Sequence, residues 1–279
     1  MTRTAGLSLP GAVVLVTGAA QGIGLDTATR FVAAGSKVTF VDVDGDRLDR
    51  AVSSLGDNAI GVVADVRDAD ALRAATERTL EVFGRLDVVV ANAGVTPPTA
   101  TLRTVDPDDF RRVIDVNLIG ALNTVRATVE PIIACGGHIQ LIGSCAAFAP
   151  GMGGAAYMVS KAGVEQLARA LRIELAPHRV SVGISYFGIV ETALTRATLD
   201  DDAVGRRIGQ LLPWPLSRRV DADYAASTIV DAVRNRTATR IVPRTWVPYS
   251  WFRGIINAVL DRMLVGDAQV AGIIRALER

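Results

Sequence analysis

The chain has 279 residues, of which 49% are hydrophobic and 21% charged, a globular composition long enough to bury a core without a metal or disulfide staple. Its 30 basic and 29 acidic residues leave a formal net charge of +1, so no electrostatic argument favours a nucleic-acid partner. Two cysteines without metal spacing and two distant histidines, His138 and His178, exclude a His-rich metal site, and a Ser-His-Asp triad unless one of those two serves.

Residues 1–10 carry one Arg and no apolar run, so no signal peptide is expected, and no stretch of apolar residues is long enough to predict a membrane span. A cytoplasmic location is expected. The continuous apolar run 12–17 predicts a buried parallel strand, followed by a Gly-rich turn and a helix over 22–34 that Gly35 stops. A second strand is expected at 37–43. A helix capped by Asp46 should run to about 55, with a third strand at 60–63. Then come a helix at 69–83, a strand at 86–91, and a long helix from Pro107, capped by Asp106, toward 134. A fifth strand at 137–142, a helix at 155–176 ended by Pro177, a sixth strand at 180–186, a helix at 221–234 and a short strand at 240–242 complete the alternation. Strand–helix alternation at this spacing predicts an α/β fold: a doubly wound parallel sheet with helices on both faces. With no repeat or linker, residues 1–279 are expected to form a single domain, with a variable substrate lid at about 193–220 and a C-terminal helical extension at about 244–279.

The turn after the first strand is Thr17-Gly18-Ala19-Ala20-Gln21-Gly22-Ile23-Gly24. Glycines there allow a sharp turn and close approach of backbone to a pyrophosphate, and the helix start offers free N–H groups to the phosphates. Gly18, Gln21, Gly22, Ile23 and Gly24 are therefore candidate dinucleotide contacts. Asp42 ends the second strand, where a carboxylate can accept from the adenosine ribose and repel a 2′-phosphate. No Arg or Lys lies in the glycine turn, so NAD is expected rather than NADP. The bland alternative is that Asp42 only caps its own turn.

Tyr157 and Lys161 are four apart on a predicted helix and face one side. An ammonium beside a phenol favours the phenolate and brings a general base toward neutral pH. Taken singly, each of these residues has an ordinary structural explanation. Taken in order, they make the chain resemble the short-chain dehydrogenase/reductase family over about residues 10–245. The resemblance rests on the glycine turn, Asp65-Val66, Asn92-Ala93-Gly94, Asn117, and Ser144 with Tyr157 and Lys161.

The resemblance implies a Rossmann-like sheet and hydride transfer between NAD(H) and a secondary alcohol or ketone. It implies Tyr157 as proton donor or acceptor and Ser144 holding the substrate oxygen. Lys161 would lower the Tyr157 pKa and contact the nicotinamide ribose, and Asn117 would position a water leading from Lys161 to solvent. Asp65 and Val66 would sit at the adenine, with Asn92, Ala93 and Gly94 along the cofactor. After the sixth strand Gly188, Val190 and Thr192 match the family, and Val190 and Thr192 would hold the carboxamide. Phe187 replaces a proline there, which leaves the local turn open. Homodimers or homotetramers are also implied.

Eight of the fourteen aromatic residues, including all three Trp, follow position 185, which suggests a bulky apolar substrate with Phe148, Met152 and Trp214 as pocket walls beside Ser144 and Tyr157. Core packing explains the same bias. The tail alternates apolar residues at helical spacing from Trp251 to Leu264 and from Val270 to Leu277, with Gly266 and Asp267 between. It is expected to pack on the body or a partner subunit, with peripheral membrane contact as the alternative. An NAD-binding sensor or scaffold without turnover is the competing functional class, disfavoured by the presence of Tyr157 and Lys161.

Overall fold

A computed structural model describes residues 6–279. Residues 1–5, half of the segment expected to carry no signal peptide, lie outside them. The core is a parallel sheet of seven strands in the order β3-β2-β1-β4-β5-β6-β9. These are β1 Val13–Thr17, β2 Lys37–Asp42, β3 Ala59–Val63, β4 Val88–Ala91, β5 His138–Ser144, β6 Ser181–Phe187 and β9 Thr239–Val242. The order reverses direction at β1 and β4, so their carboxyl ends open a crevice that crossover helices do not cover.

Side chains alternate across the sheet, and the two faces bury separate cores. Leu15, Val89 and Leu141 point to one face, where α3 (Ala69–Phe83), α5 (Gly120–Cys135) and α6 (Ala155–Glu174) supply Leu72, Val125 and Val164. Val14, Val16 and Val88 point to the other, against Phe31 of α1 (Gly22–Ala33), Leu48 of α2 (Gly45–Val52) and Ile229 of α9 (Ala222–Arg234). Both faces are thus covered, as the uninterrupted apolar strands require.

Local differences from the sequence reading have identifiable causes. The cap of α2 is Asp44, whose carboxylate accepts from the Arg47 backbone N–H at 3.0 Å, and Asp46 lies within the helix. The helix begun at Pro107 is not uniform. It runs as α4 (Pro107–Ile114), a π-helical stretch Asp115–Ile119 and then α5. The continuous run Pro107–Cys135 has a window of mean hydropathy 1.2 and by length and composition alone could cross a bilayer. It is a core helix, since Val113, Ala121, Val125 and Ile132 are buried against the body. Two very short strands, β7 Val190–Glu191 and β8 Val220–Asp221, pair in parallel and staple the two ends of segment 193–220 together. Between them lie α7 (Ala193–Thr195), a second π-helical stretch Arg196–Asp200, and α8 (Ala203–Leu211).

The tail forms α10 (Trp246–Gly266) and α11 (Ala268–Leu277), the latter capped by Asp267, which accepts from the Val270 N–H at 2.9 Å. Trp246 and Tyr249 are buried on the inner face of α10, and Trp251, Ile255 and Met263 are exposed on its outer face. The inner face is fixed to α6 by a forked ion pair, Arg253 Nη1 and Nη2 to the two Glu165 oxygens at 2.9 and 2.6 Å. Glu165 is 7% exposed, so the carboxylate side of this pair is shielded from water and salt, while the Arg253 side chain is 30% exposed. Arg253→Ala leaves that carboxylate with Arg169 at 3.2 Å as its remaining cation. The expected cost is about 2–3 kcal/mol in urea unfolding. Arg78→Ala, which breaks an exposed pair with Glu81, is expected to cost under about 0.5 kcal/mol in the same assay.

Candidate active site

The crevice at the strand ends is a cleft of about 710 Å³. Its floor at the nucleotide end is the glycine turn. A Cβ on Gly24 would stand 1.9 Å from the Gly18 carbonyl oxygen, and one on Gly18 would stand 2.8 Å from Ala93 Cα. Gly18 also has φ +66°, which L side chains rarely adopt. Backbone therefore occupies the space that side chains would take, and the surface above the turn stays open: a Cβ at Gly22 would meet nothing nearer than Thr192 Cγ2 at 3.9 Å. Gln21 and Ile23 line the same floor, and Gln21 accepts from Arg47 Nη1 at 2.6 Å. That arginine was not anticipated, because it reaches the turn from α2 rather than from the turn itself.

Asp42 lines the cleft at the end of β2. One carboxylate oxygen accepts from the Ala20 N–H at 2.9 Å and the other from the Asp44 N–H at 3.1 Å. It caps its own turn and ties that turn to the glycine loop. Each oxygen keeps a second lone pair, so accepting from a ribose hydroxyl remains open. Asp65 lies farther along, with its pKa held low mainly by hydrogen bonds from the Arg67 guanidinium. Val66 is 6% exposed, and its side chain lies under Gly120, where a Cβ would meet it at 2.5 Å. Val66 also lines the cleft.

Asn92 acts on the protein itself. Its amide donates to the Thr17 and Gly18 carbonyls at 3.0 and 3.1 Å, and its backbone N–H donates to the Thr17 hydroxyl at 3.1 Å. Ala93 N–H also donates to that hydroxyl, at 3.3 Å. Gly94 follows, where a Cβ would come within 3.3 Å of Asn117 Oδ1 and 3.6 Å of Lys161 Nζ. At the far side, Val190 and Thr192 line the cleft after β6. Phe187 does not disturb the turn. It pairs with Val242 as the last residue of β6, and the Gly188 N–H continues the ladder to the Val242 carbonyl at 2.8 Å.

Ser144 ends β5, and Tyr157 and Lys161 come from the first two turns of α6; all three line the cleft. Lys161 is 5% exposed and donates to the Ile142 carbonyl at 3.0 Å. Burial lowers its pKa to about 8. Its ammonium stands 5.7 Å from the centre of the Tyr157 ring. For Tyr157 the protein alone does not supply the acidified phenol that was expected. Burial is the largest influence and raises its pKa, and the Ser144 hydroxyl opposes this. Desolvation outweighs the Ser144 hydrogen bond, and the Lys161 ammonium is not among the influences on the phenol.

Asn117 is buried in the π-helical stretch and stands behind the cleft wall rather than on it. Its Oδ1 accepts from the Val95 N–H at 2.7 Å, and its Nδ2 donates to the Val95 carbonyl at 2.9 Å and to Ser160 Oγ at 3.0 Å. Ser160 in turn donates to the Tyr157 carbonyl at 2.7 Å. Ser160 is thus a supporting residue that sequence reasoning did not place in the site, and Thr17, read only as the start of the glycine turn, supports it through its hydroxyl; a buried hydroxyl on a strand end or helix carries no sequence signal of its partner.

The three pocket-wall residues do not reach the cleft. Phe148 is 5% exposed, edge-on to Tyr186 and Trp246 at centroid distances of 5.4 and 6.0 Å, with the Arg253 guanidinium 5.4 Å from its ring. It belongs to the core that seats α10. Trp214 is 84% exposed, and Met152 is half-buried without lining the cleft. The late aromatic residues mostly serve the tail. Burial also raises the pKa of Cys145, next to Ser144, so it stays a thiol and offers no competing nucleophile. Among the described residues no group of three or more His, Cys, Asp or Glu gathers as a metal site. The glycine cradle, the Asp42 acceptor and the open floor fit a dinucleotide.

Comparison with known proteins agrees with this geometry. The family model described as short chain dehydrogenase matches residues 12–203. The chain is 33% identical over 255 residues to (-)-trans-carveol dehydrogenase of Rhodococcus erythropolis, covering 79% of this chain and 91% of that one. It is 33% identical over 187 residues to cis-2,3-dihydrobiphenyl-2,3-diol dehydrogenase of Paraburkholderia xenovorans, covering 66% and 68%. Among solved structures, 3-ketoacyl-(acyl-carrier-protein) reductase from Brucella melitensis, complexed with NADH, superposes with a TM-score of 0.77 at 28% identity, covering 84% of this chain and 98% of that one.

Gly24→Ala pushes a methyl group into the Gly18 carbonyl and reshapes the floor. NADH fluorescence titration is expected to show at least a 30-fold weaker Kd. Gly209→Ala, at a position with nothing within 4 Å, is expected to bind as the parent does.

Proposed function

The chain belongs to the short-chain dehydrogenase family, and on that footing we propose that it is an NAD-dependent oxidoreductase interconverting a bulky, largely apolar secondary alcohol and its ketone. The observation that carries the reading is that Ser144, Tyr157 and Lys161 line the same cleft as the glycine turn. Asp42 supports NAD over NADP, because a 2′-phosphate beside its carboxylate would be repelled. Arg47, held against Gln21 and Asp44, is already paired and does not offset that carboxylate.

The bound nicotinamide cofactor supplies the hydride acceptor or donor. Tyr157 takes the alcohol proton in oxidation and returns it in reduction. Ser144 Oγ, held at the end of β5 where it accepts from the Ala146 N–H at 3.2 Å, keeps its own proton free for the substrate oxygen. Lys161 stays cationic below about pH 8 and favours the phenolate as charge develops on Tyr157. Asn117 and Ser160 fix the helix turn that carries Tyr157. Val95, Leu194 and Ile142 give the catalytic end an apolar lining, in keeping with a hydrocarbon-rich substrate. Two relatives are named for such alcohols, trans-carveol and a dihydrobiphenyl diol. Nothing supports a sensor without turnover.

The same reading makes the protein one domain, cytoplasmic and homo-oligomeric. Ile173 and Val159 on α6, 76% and 52% exposed, and the apolar outer face of α10 are surfaces a second copy would cover.

The test is absorbance of the reduced nicotinamide with a panel of bulky secondary alcohols. Tyr157→Phe is expected to lower kcat by about 10²–10⁴-fold with NADH Kd unchanged within twofold. Oxidation needs the phenolate and reduction the phenol. Because burial raises the Tyr157 pKa while Lys161 keeps its charge only below about pH 8, oxidation should gain as pH rises from 6 toward 8, and reduction should be retained at neutral pH and lost only in the alkaline range. A wild-type protein that binds NADH and turns over no alcohol or ketone of the panel would defeat the proposal. Preference for small, polar sugars would defeat its substrate class.

A further inference from the structure

We propose that Asp26 ties dinucleotide binding to the uptake of a proton and so sets how readily the cofactor leaves. The inference rests on the dinucleotide reading above and concerns a residue that takes no part in the chemistry at Tyr157.

Asp26 is half-buried on α1 and lines the cleft. It follows Gly22 by four positions, so the two share one face of the helix, about 6 Å apart along its axis. Gly22 is the open part of the floor, bounded on its far side by Thr192. A pyrophosphate laid over the start of α1 therefore has this carboxylate one turn below it. The first turn of α1 holds no acid, and Asp26 lies beyond the turn in which the helix dipole favours negative charge.

The groups around Asp26 leave its charge uncompensated. On its own helix Arg30 is four residues on, a spacing that suits an ion pair. That guanidinium is instead committed to Asp223 of α9: Nε donates to Asp223 Oδ1 at 3.2 Å, and Nη2 donates to the same oxygen. Asp223 thus brings a second negative charge to the neighbourhood and draws the nearest cation away. Glu191 of β7 and Arg196 line the same cleft, and Arg196 acts on Asp200. Asp42, the other acid of the floor, accepts from two backbone N–H groups. Among the described residues none donates to Asp26, whose pKa is raised first by burial and then by Asp223, with Arg30 opposing.

A doubly negative pyrophosphate disfavours the carboxylate further, so the complex keeps the proton to a higher pH than the free protein does. Affinity is full below the pKa of Asp26 in the free protein and falls as pH rises through it. It levels off once the complex has lost the proton as well. At neutral pH the ionised Asp26 pushes against the ligand that the N–H groups of the floor hold. Product release limits turnover in many enzymes, and this repulsion shortens the stay of the spent cofactor.

The experiment uses ADP-ribose, which is stable in acid and whose pyrophosphate stays ionised throughout. Calorimetric titration of the full chain from about pH 4 to pH 8, in buffers of different ionisation heat, gives Kd and proton uptake together. Wild type is expected to bind about tenfold more weakly at the neutral end, with net proton uptake between. Asp26→Asn is expected to hold the tight, acid-end Kd at every pH, to take up no proton, and to release NADH about tenfold more slowly in stopped flow at neutral pH. Asp223→Asn leaves Asp26 in place and frees Arg30 for it, so the midpoint is expected to move to lower pH. Glu191→Gln is expected to keep the wild-type pH dependence. A pH dependence that survives in Asp26→Asn overturns the proposal, as does a midpoint unmoved in Asp223→Asn or a wild-type Kd that is flat with pH. Wild type that binds neither ADP-ribose nor NADH defeats the dinucleotide reading itself, whereas tight binding without pH dependence overturns only the role of Asp26.

Discussion

The cleft depends on one amide. Where the sheet order reverses, the chain leaving β1 and the chain leaving β4 diverge to opposite faces, and nothing in the ladder joins them beyond Val16 and Val90. Asn92 bridges that gap, donating to the Thr17 and Gly18 carbonyls while Thr17 Oγ1 receives two backbone N–H groups in return. These are buried or half-buried backbone groups that would otherwise have no partner at the point where a ligand must approach. Because the protein satisfies them itself, the remaining N–H groups at the start of α1 are left to face the cleft. The close approach of Gly24 to the Gly18 carbonyl follows from the same constraint: the turn has to fold back tightly enough to come within reach of Asn92.

The catalytic end is governed by burial rather than by pairing. Lys161 is buried with one carbonyl partner and no carboxylate, so its pKa falls to about 8. Tyr157 beside it moves upward for the same reason. Desolvation therefore brings an ammonium and a phenol, normally about equal in pKa, into reversed order, and the lysine gives up its proton more readily than the tyrosine. At rest near neutral pH the pair therefore holds one charge, on the lysine. It is suited to responding to charge that appears nearby during reaction, since a low-dielectric site strengthens each added interaction.

Much of this was legible from the residues because it is local or periodic. The apolar runs specify strands, Gly and Pro mark ends, and the glycine turn, Asp42 and Ser144 fall at strand ends by simple alternation, with Tyr157 and Lys161 one turn apart on the helix that follows β5. What was not legible depends on tertiary partners. Asp44 rather than Asp46 caps α2, because capping is decided by which residue is extended when the helix starts. The two-residue strands β7 and β8 have no pattern of their own. Phe148 and Trp214 share an aromatic composition, yet one is core and the other solvent-exposed, a distinction composition does not contain.

The π-helical stretch at Asp115–Ile119 explains how distant parts of the catalytic end stay in register. Asn117 sits within it and is 1% exposed. Widening the helix by one residue per turn turns Asn117 inward at the level of Val95, so one amide clamps the segment after β4 on both its N–H and its carbonyl. The remaining N–H reaches Ser160, and Ser160 reaches the Tyr157 carbonyl. One chain of four residues thus connects the loop that follows Gly94 to the turn of α6 that carries the phenol. A regular helix would place the residue at 117 on a different bearing, and an apolar residue there would leave the Val95 backbone unsatisfied in a buried setting. The position of the tyrosine relative to the nucleotide floor is therefore set by the backbone of a third element, which belongs to neither.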